Sequence, residues 1–135
     1  MVNLLSVLVA AVAGAAVGFV WYGPLFGKAW GRLSGRTMED MEEAKKKGMG
    51  GTYALMLLGF LVMAYVLAYT FDFLGVDSYA SGATSAFWLW LGFVAALRGI
   101  NELFSKTRSF GLFLLDSGHY LAVMLVMTAV LTLWP

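Results

Sequence analysis

Two ionisable residues, Asp116 and His119, lie inside a long apolar segment near the end of the chain. They are three residues apart, so in a helix they share one face, and Tyr120 extends the same polar strip. A rise of about 1.5 Å per residue places Asp116 about 9 Å and His119 about 14 Å inside the segment. Ionisable groups at that depth cost at least about 2.5 kcal/mol, so they normally face a partner or a cavity.

Two interpretations of this polar strip stay open. In the first, Asp116 and His119 form a proton or ion relay, or a pocket for a polar ligand. In the second, they form a hydrogen-bond clamp between helices and only hold the structure together. In both cases we expect them to share one polar site with residues of matching depth, such as Tyr22 or Arg98.

The rest of the chain offers little catalytic or metal-binding chemistry. It has no cysteine and a single histidine, which excludes iron–sulfur clusters, cysteine-based zinc sites and a histidine-rich metal site within one protomer. It has no Walker loop and no dinucleotide-binding fingerprint, and its basic residues do not alternate with aromatic ones in a nucleic-acid-binding pattern. We therefore predict no enzyme activity, no metal or cofactor, and no nucleic-acid partner.

Four apolar segments must position these residues. Hydrophobic residues make up 61% of the 135-residue chain and charged residues 13%, whereas soluble domains have about 45–50% and about 25%. Segments of about 20 apolar residues cross a bilayer as helices, and we predict spans at 2–21, 52–71, 80–97 and 110–131. The sequence therefore predicts an all-α fold, a compact bundle of four transmembrane helices that forms a single integral membrane domain.

The loop 28–50 between the first two spans is predicted to contain one short amphipathic helix. Thr37 and, three residues on, Asp40 resemble a capping box. Acidic residues come first and basic residues last, which suits the helix dipole, and Gly48 ends the helix. Three apolar residues fall on one side and could lie on the membrane surface: Met38, Met41 and Ala44.

The basic residues predict the orientation. All nine Lys and Arg residues belong to the first and third loops, and the termini and the second loop have none. Because basic residues in short loops stay on the cytoplasmic side, we expect both termini outside the cytoplasm and loops one and three inside it. The nine residues are Lys28, Arg32, Arg36, Lys45, Lys46, Lys47, Arg98, Lys106 and Arg108.

Two spans carry strips of small residues, which let helix backbones approach closely. The strip in the first span contains Ser6, Ala10, Gly14 and Gly18, and that in the fourth contains Gly111, Gly118, Ala122 and Ala129. The strip in the fourth span lies on a different side of the helix from Asp116, so we expect this helix to have neighbours on two sides. The strips could pack within one protomer or between copies. Because a lone four-helix bundle has little interior and two spans carry such strips, we also predict a homo-oligomer, a dimer or trimer, embedded in the lipid bilayer.

The run WYGPLFGKAW at 21–30 resembles the signature of the domain of unknown function 1761 family, which consists of small bacterial and archaeal membrane proteins. The polar stretch Gly118-His119-Tyr120, followed by an apolar helix that finishes near Trp134, is similar to the end of that family. The resemblance covers essentially the whole chain. It implies the membrane architecture and brings no established activity with it.

The same run has a physical interpretation. Pro24 lacks an N–H and flanking glycines loosen the backbone, so the helix should break there. Trp21, Tyr22 and Trp30 suit the headgroup level, and Lys28 can extend its ammonium group towards it. The run is then either an anchored elbow or the polar and aromatic mouth of a cavity that leads to Asp116.

Two functions remain as alternatives. The first is a structural or interaction protein, a four-helix bundle that forms a homo-oligomer. The second is a small proton- or ion-coupled transporter or channel that uses the intramembrane site of Asp116 and His119. An enzyme that acts on lipid is the least favoured, because one Asp and one His offer too few catalytic groups.

Overall fold

Four long apolar helices form the body of the protein in a computed structural model, which describes residues 2–35, 38–106 and 108–134. Each is long and apolar enough to cross a membrane, and no β-strand occurs in these described residues. This confirms the predicted all-α bundle of four candidate spans. In chain order the first to fourth spans are Leu4–Leu25, Gly50–Leu74, Tyr79–Leu103 and Phe110–Leu133.

Seven α-helices and two π-helical turns make up these spans and their connections in the described residues. The second span is α4 and the fourth is α7; the first and third spans each contain a π-helical turn. The bounds are α1 Leu4–Val20, π-turn Trp21–Leu25, α2 Gly27–Ser34, α3 Met38–Lys46, α4 Gly50–Leu74, α5 Tyr79–Trp90, π-turn Leu91–Ala95, α6 Ala96–Leu103 and α7 Phe110–Leu133.

Short polar side chains begin three of the spans. Asn3 caps α1 by accepting from the Leu5 amide at 3.0 Å, and Ser109 caps α7 in the same way. Ser78 begins α5 with a reciprocal capping box. Gly75 ends α4 in the left-handed conformation, with φ 70°, so the second and third spans are joined by a tight link.

The first span breaks where the sequence predicts. Gly23 has non-helical angles, φ −104° and ψ −105°, directly before Pro24. The Phe26 amide donates to the Trp21 carbonyl at 2.8 Å, a bond one residue longer than in an α-helix. The break redirects the chain into the short helix α2.

The third span extends past its predicted end at 97 and continues as a helix to Leu103. Arg98, which the sequence analysis placed in the third loop, therefore lies on α6. The apolar pattern fails at Arg98 because the residue is charged, but a charge does not end a helix, and here it is paired with two carboxylates.

The core lies where α1 packs against α7. The α1 helix also packs against α4, and α7 also packs against α5, so α7 has neighbours on two sides, as predicted. Small residues of α1 meet larger ones of α7 in this core, where Ala10, Val123 and Met127 are fully buried. Large apolar side chains cover the outer faces, as expected for helices that contact lipid.

The first loop contains the predicted short helix, α3, with acidic residues in its first turn and basic residues in its last. Gly48 follows it with a φ of 89°, which suits glycine. The expected capping residue Thr37 lies outside the described residues. So do the side chains of Met38, Met41 and Ala44.

Candidate functional site

Both carboxylate oxygens of Asp116 on α7 have partners from other spans. The Tyr22 hydroxyl, in the π-turn of the first span, donates to Oδ1 at 2.7 Å. The Arg98 guanidinium, on α6, donates through Nη2 to Oδ2 at 3.0 Å. One half-buried carboxylate therefore ties together three of the four spans.

Arg98 also pairs with a second carboxylate, that of Glu102 one helical turn further on. Its Nη1 lies 2.6 Å from Oε2 of Glu102. The other carboxylate oxygen accepts from the Ser109 amide at 2.7 Å, at the start of α7, and from the Ser105 hydroxyl. We call Tyr22, Arg98, Glu102 and Asp116 the polar clamp.

Two indole groups reinforce the polar clamp from opposite sides. Trp21 donates through Nε1 to the Leu115 carbonyl at 3.1 Å, and Trp90 donates to the Ser117 carbonyl at 2.7 Å. Both acceptors flank Asp116 on α7. The first and third spans thus each hold the same turn of α7 by a tryptophan and by a polar-clamp residue.

His119 lies beside the polar clamp and is not hydrogen-bonded to it. The side chain is 4% exposed, and neither ring nitrogen has a hydrogen-bond partner among the described residues. Its ring centroid lies 4.8 Å from those of Tyr22 and Tyr120. A Cβ added at Gly18 would lie 3.2 Å from Nε2, so the small residue makes room for the imidazole. Tyr22 therefore contacts both Asp116 and His119.

An open cavity of about 930 Å³ reaches the polar clamp from the end of the bundle that carries the first and third loops. Asp116 forms part of its wall. Three aromatic rings and three basic side chains also line it: Tyr22, Trp30, Tyr120, Lys28, Arg32 and Arg98. The residues of the 21–30 run and the intramembrane carboxylate thus meet around one cavity. We call it the clamp cavity.

The predicted strips of small residues are used inside the protomer. A Cβ added at Gly14 would lie 2.7 Å from the Met127 methyl group, and one at Gly118 would lie 3.4 Å from the Trp21 ring. Gly111 faces Leu33 of α2 in the same way. Ala10 is fully buried and Ala122 is half-buried.

Sequence reasoning missed three contributors. Glu102 stands four residues after Arg98, a spacing that signals an ion pair on a helix. Trp90 lies within the apolar third span, where no local pattern marks its indole N–H as a hydrogen-bond donor to another helix. Trp88, next to it, points outwards and is 64% exposed. Gly82 leaves room for Thr128 and Thr132 of α7 to pack against α5. A single glycine forms no strip of small residues, so the sequence did not mark it as a contact site.

Comparison with known families adds to this geometry. The family model described as "Protein of unknown function (DUF1761)" matches residues 5–132, nearly the whole chain. The chain belongs to the DUF1761 family. This confirms the resemblance carried by the run at 21–30. Searches of curated proteins and of solved structures found no match.

Membership of DUF1761 gives this membrane-type bundle a family and no activity. Within the part of the chain that the structure describes, no three His, Asp or Glu side chains are grouped closely enough to hold a metal ion. The described residues of the site supply hydrogen bonds, one bridging guanidinium, and a buried imidazole beside the polar clamp.

Proposed function

We propose that this DUF1761 protein is a non-catalytic structural or interaction protein of the membrane, in which Asp116 holds the bundle together. The observation that carries this proposal is that Tyr22 and Arg98 engage both oxygens of the carboxylate. A relay group must exchange its proton or ion partner during each cycle. A carboxylate whose partners come from two other helices is better suited to fixing the positions of those helices.

One observation favours the alternative, a proton- or ion-coupled transporter. His119 has two buried ring nitrogens without a partner among the described residues, and buried polar groups normally have one. Its neighbour Tyr22 connects it to Asp116. Towards the other end of the bundle, however, the packing at Gly14 is apolar and close, with Val123 and Met127 against it. A transport cycle would have to open this packing.

Substitution of Asp116 separates the two functions. For a clamp, we expect Asp116→Asn to keep partial hydrogen bonding and most of the stability, whereas Asp116→Leu lowers the melting temperature in detergent. Neither change should alter proton flux in liposomes that contain a pH-sensitive dye, because the clamp function predicts no such flux. Asp77→Asn, an exposed carboxylate in the link between the second and third spans, is the matched control.

A flux that wild-type protein supports and Asp116→Asn abolishes, while the variant melts as the wild type does, would establish the relay and refute the clamp as the function. His119→Gln should then abolish the same flux. Under the clamp proposal His119→Gln has no flux to affect.

We also propose that the protein forms a homo-oligomer, a dimer or trimer, through the crevice between α4 and α5. The small-residue strips of α1 and α7 are occupied within the protomer, so they leave no surface for this contact. The crevice encloses about 480 Å³ and is lined by apolar side chains, among them Leu67, Leu89 and Met124. Gly59 and Gly92 lie one turn from it, and nothing stands within 4 Å of a Cβ added at either, so a second helix could approach closely there.

Particle mass tests this contact. We expect Gly59→Leu and Gly92→Leu to reduce the mass of the detergent-solubilised particle to that of one protomer while its melting temperature is kept. Gly51→Leu, which also has open space around it and lies at the start of α4 away from the crevice, should leave the mass unchanged. A wild-type particle with the mass of a single chain would refute the oligomer.

A further inference from the structure

The described lining of the clamp cavity carries more positive than negative charge. Three basic side chains and one carboxylate line it. Arg98 is engaged by Asp116 and Glu102. Among the residues that the structure describes, neither Lys28 nor Arg32 forms an ion pair. These two cations therefore remain available for an anion that enters the cavity.

Glycines, which have no side chain, also keep the cavity open. Gly23, Gly27 and Gly31 follow one another at four-residue spacing and all line it. Nothing lies within 4 Å of a Cβ added at Gly23 or Gly31, whereas one at Gly27 would lie 2.7 Å from the Tyr22 carbonyl oxygen. Gly23 and Gly31 thus leave the backbone exposed along the cavity wall, and Gly27 allows the chain to pack closely against the Tyr22 carbonyl. Its volume of about 930 Å³ falls within the range of small-ligand sites, about 300–1,000 Å³.

The remaining wall is aromatic, and its position fits the membrane interface. Tyr22, Trp30 and Tyr120 line the cavity, and amphipathic rings concentrate at the level of the lipid headgroups. The break at Gly23 and Pro24 ends the first span at the same place. A ligand in this position would meet cations and rings on one side and lipid chains on the other.

We propose that the clamp cavity binds the phosphate group of one ligand with a net negative charge, with Lys28 and Arg32 as its cationic ligands. Ammonium and guanidinium groups form charge-assisted hydrogen bonds with phosphate oxygens, and the glycine backbone leaves room for the glycerol portion. The same phosphate chemistry could come from an anionic phospholipid or from a soluble phosphate ester. This site goes beyond the proposed function, since the polar clamp and the oligomer do not require a ligand.

Lipid titration in native mass spectrometry tests the site with the full chain in non-ionic detergent. We expect wild-type protein to bind one phosphatidylglycerol molecule more tightly than phosphatidylcholine. The double variant Lys28→Gln/Arg32→Gln should weaken phosphatidylglycerol binding at least about tenfold, because it removes both cationic ligands of the phosphate. The double variant Lys45→Gln/Lys46→Gln removes the same charge from α3, outside the cavity, and should bind as the wild type does.

Filling the cavity gives a second, charge-independent test. Gly31→Leu places a side chain into the open space and should weaken phosphatidylglycerol binding without lowering the melting temperature. Gly51→Leu, in equally open space at the start of α4, should change neither. Should Gly31→Leu fail to fold, the charge variants decide the matter, because Lys28 and Arg32 are exposed.

Competition identifies the source of the phosphate. Displacement of phosphatidylglycerol by glycerol 1-phosphate or inorganic phosphate at millimolar concentration would support a soluble ligand, and retention of the lipid would support a phospholipid. Equal binding of phosphatidylglycerol and phosphatidylcholine would overturn the proposal. So would an equal loss of affinity in the two charge variants, or unchanged binding in a folded Gly31→Leu protein.

Discussion

At the scale of single residues, Asp116 shows how a carboxylate is accommodated among apolar helices. An isolated charge there is costly, and three features reduce the cost. A guanidinium supplies the opposite charge, a tyrosine hydroxyl supplies a further donor, and the open cavity on one side keeps the carboxylate near polar surroundings. His119, in contrast, is surrounded by rings, which an uncharged imidazole tolerates far better than a charged one.

Loss of the Tyr22 hydroxyl should be measurable as loss of stability. In Tyr22→Phe the ring contacts with Trp30 and His119 remain, while Asp116 loses its bond at Oδ1. Hydrogen bonds between membrane helices contribute about 0.6 kcal/mol on average and at most about 1.7, and a carboxylate acceptor belongs at the upper end. We expect the free energy of unfolding to fall by about 1–2 kcal/mol in denaturant titrations in mixed micelles.

Tyr65→Phe is the matched control for that measurement. Tyr65 is 46% exposed on α4, and its hydroxyl makes no hydrogen bond with the residues that the structure describes. Its removal should change stability by less than about 0.5 kcal/mol. Equal effects of the two substitutions would mean that the Tyr22–Asp116 bond does not hold the spans together.

At the scale of elements, glycines decide which helices are in contact. Gly14 brings α1 close to Met127 and Val123, and Gly82 brings α5 close to Thr128. Both contacts use α7 as the common partner, so α7 becomes the central helix. The break at Gly23 and Pro24 then directs α2 across the end of the bundle, where Leu33 meets Gly111.

Gly14→Leu should therefore act within the protomer. The new side chain would displace Met127 and Val123 from the α1–α7 interface, and overpacking of this kind typically costs about 1–3 kcal/mol. We expect a lower melting temperature, measured by the fluorescence of the five tryptophans, and an unchanged mass of the folded particle.

Gly51→Leu serves as the control, since nothing stands near its added Cβ. The opposite result for Gly14→Leu, a reduced mass with unchanged stability, would show that the α1 strip lies between protomers.

At the scale of the whole molecule, α4 stands apart. It packs mainly on α1 and makes little contact with α5, so the four spans leave the crevice that the oligomer proposal uses. The clamp cavity lies at the end that carries the first and third loops, and so do Glu102 and all the basic side chains described. The link at Gly75 and the two termini lie at the other end, so the charge of the molecule is strongly asymmetric along its axis.

That asymmetry leads to a topology prediction. Because basic loops are retained in the cytoplasm, we expect α2, α3 and the clamp cavity to face the cytoplasm and both termini to face away from it. Alkaline phosphatase fused after Trp134 should be active, and green fluorescent protein fused there should be dark. The reverse pattern would place the clamp cavity outside and contradict the prediction.

The sequence by itself determined the features that depend on local chemistry. Runs of apolar residues define the four spans, Pro24 with Gly23 defines the break, and Gly48 and Gly75 follow helix ends. Each of these follows from hydropathy or backbone sterics within a few residues, so no knowledge of the fold is needed. Position along the helices also predicted that Asp116 is important and that Tyr22 and Arg98 lie at a matching depth.

The tertiary structure alone decided which faces of the helices meet. Hydropathy is nearly uniform around α1, α4 and α7, so it does not specify how these helices are rotated about their own axes. Packing and hydrogen bonds between helices decide that rotation. For this reason the sequence left open that Gly14 faces α7 and that Trp90 binds the Ser117 carbonyl. The rotation of α7 about its axis also gives His119 and Asp116 different surroundings, although they are three residues apart. His119 fits against Gly18 among aromatic rings, and Asp116 binds Arg98.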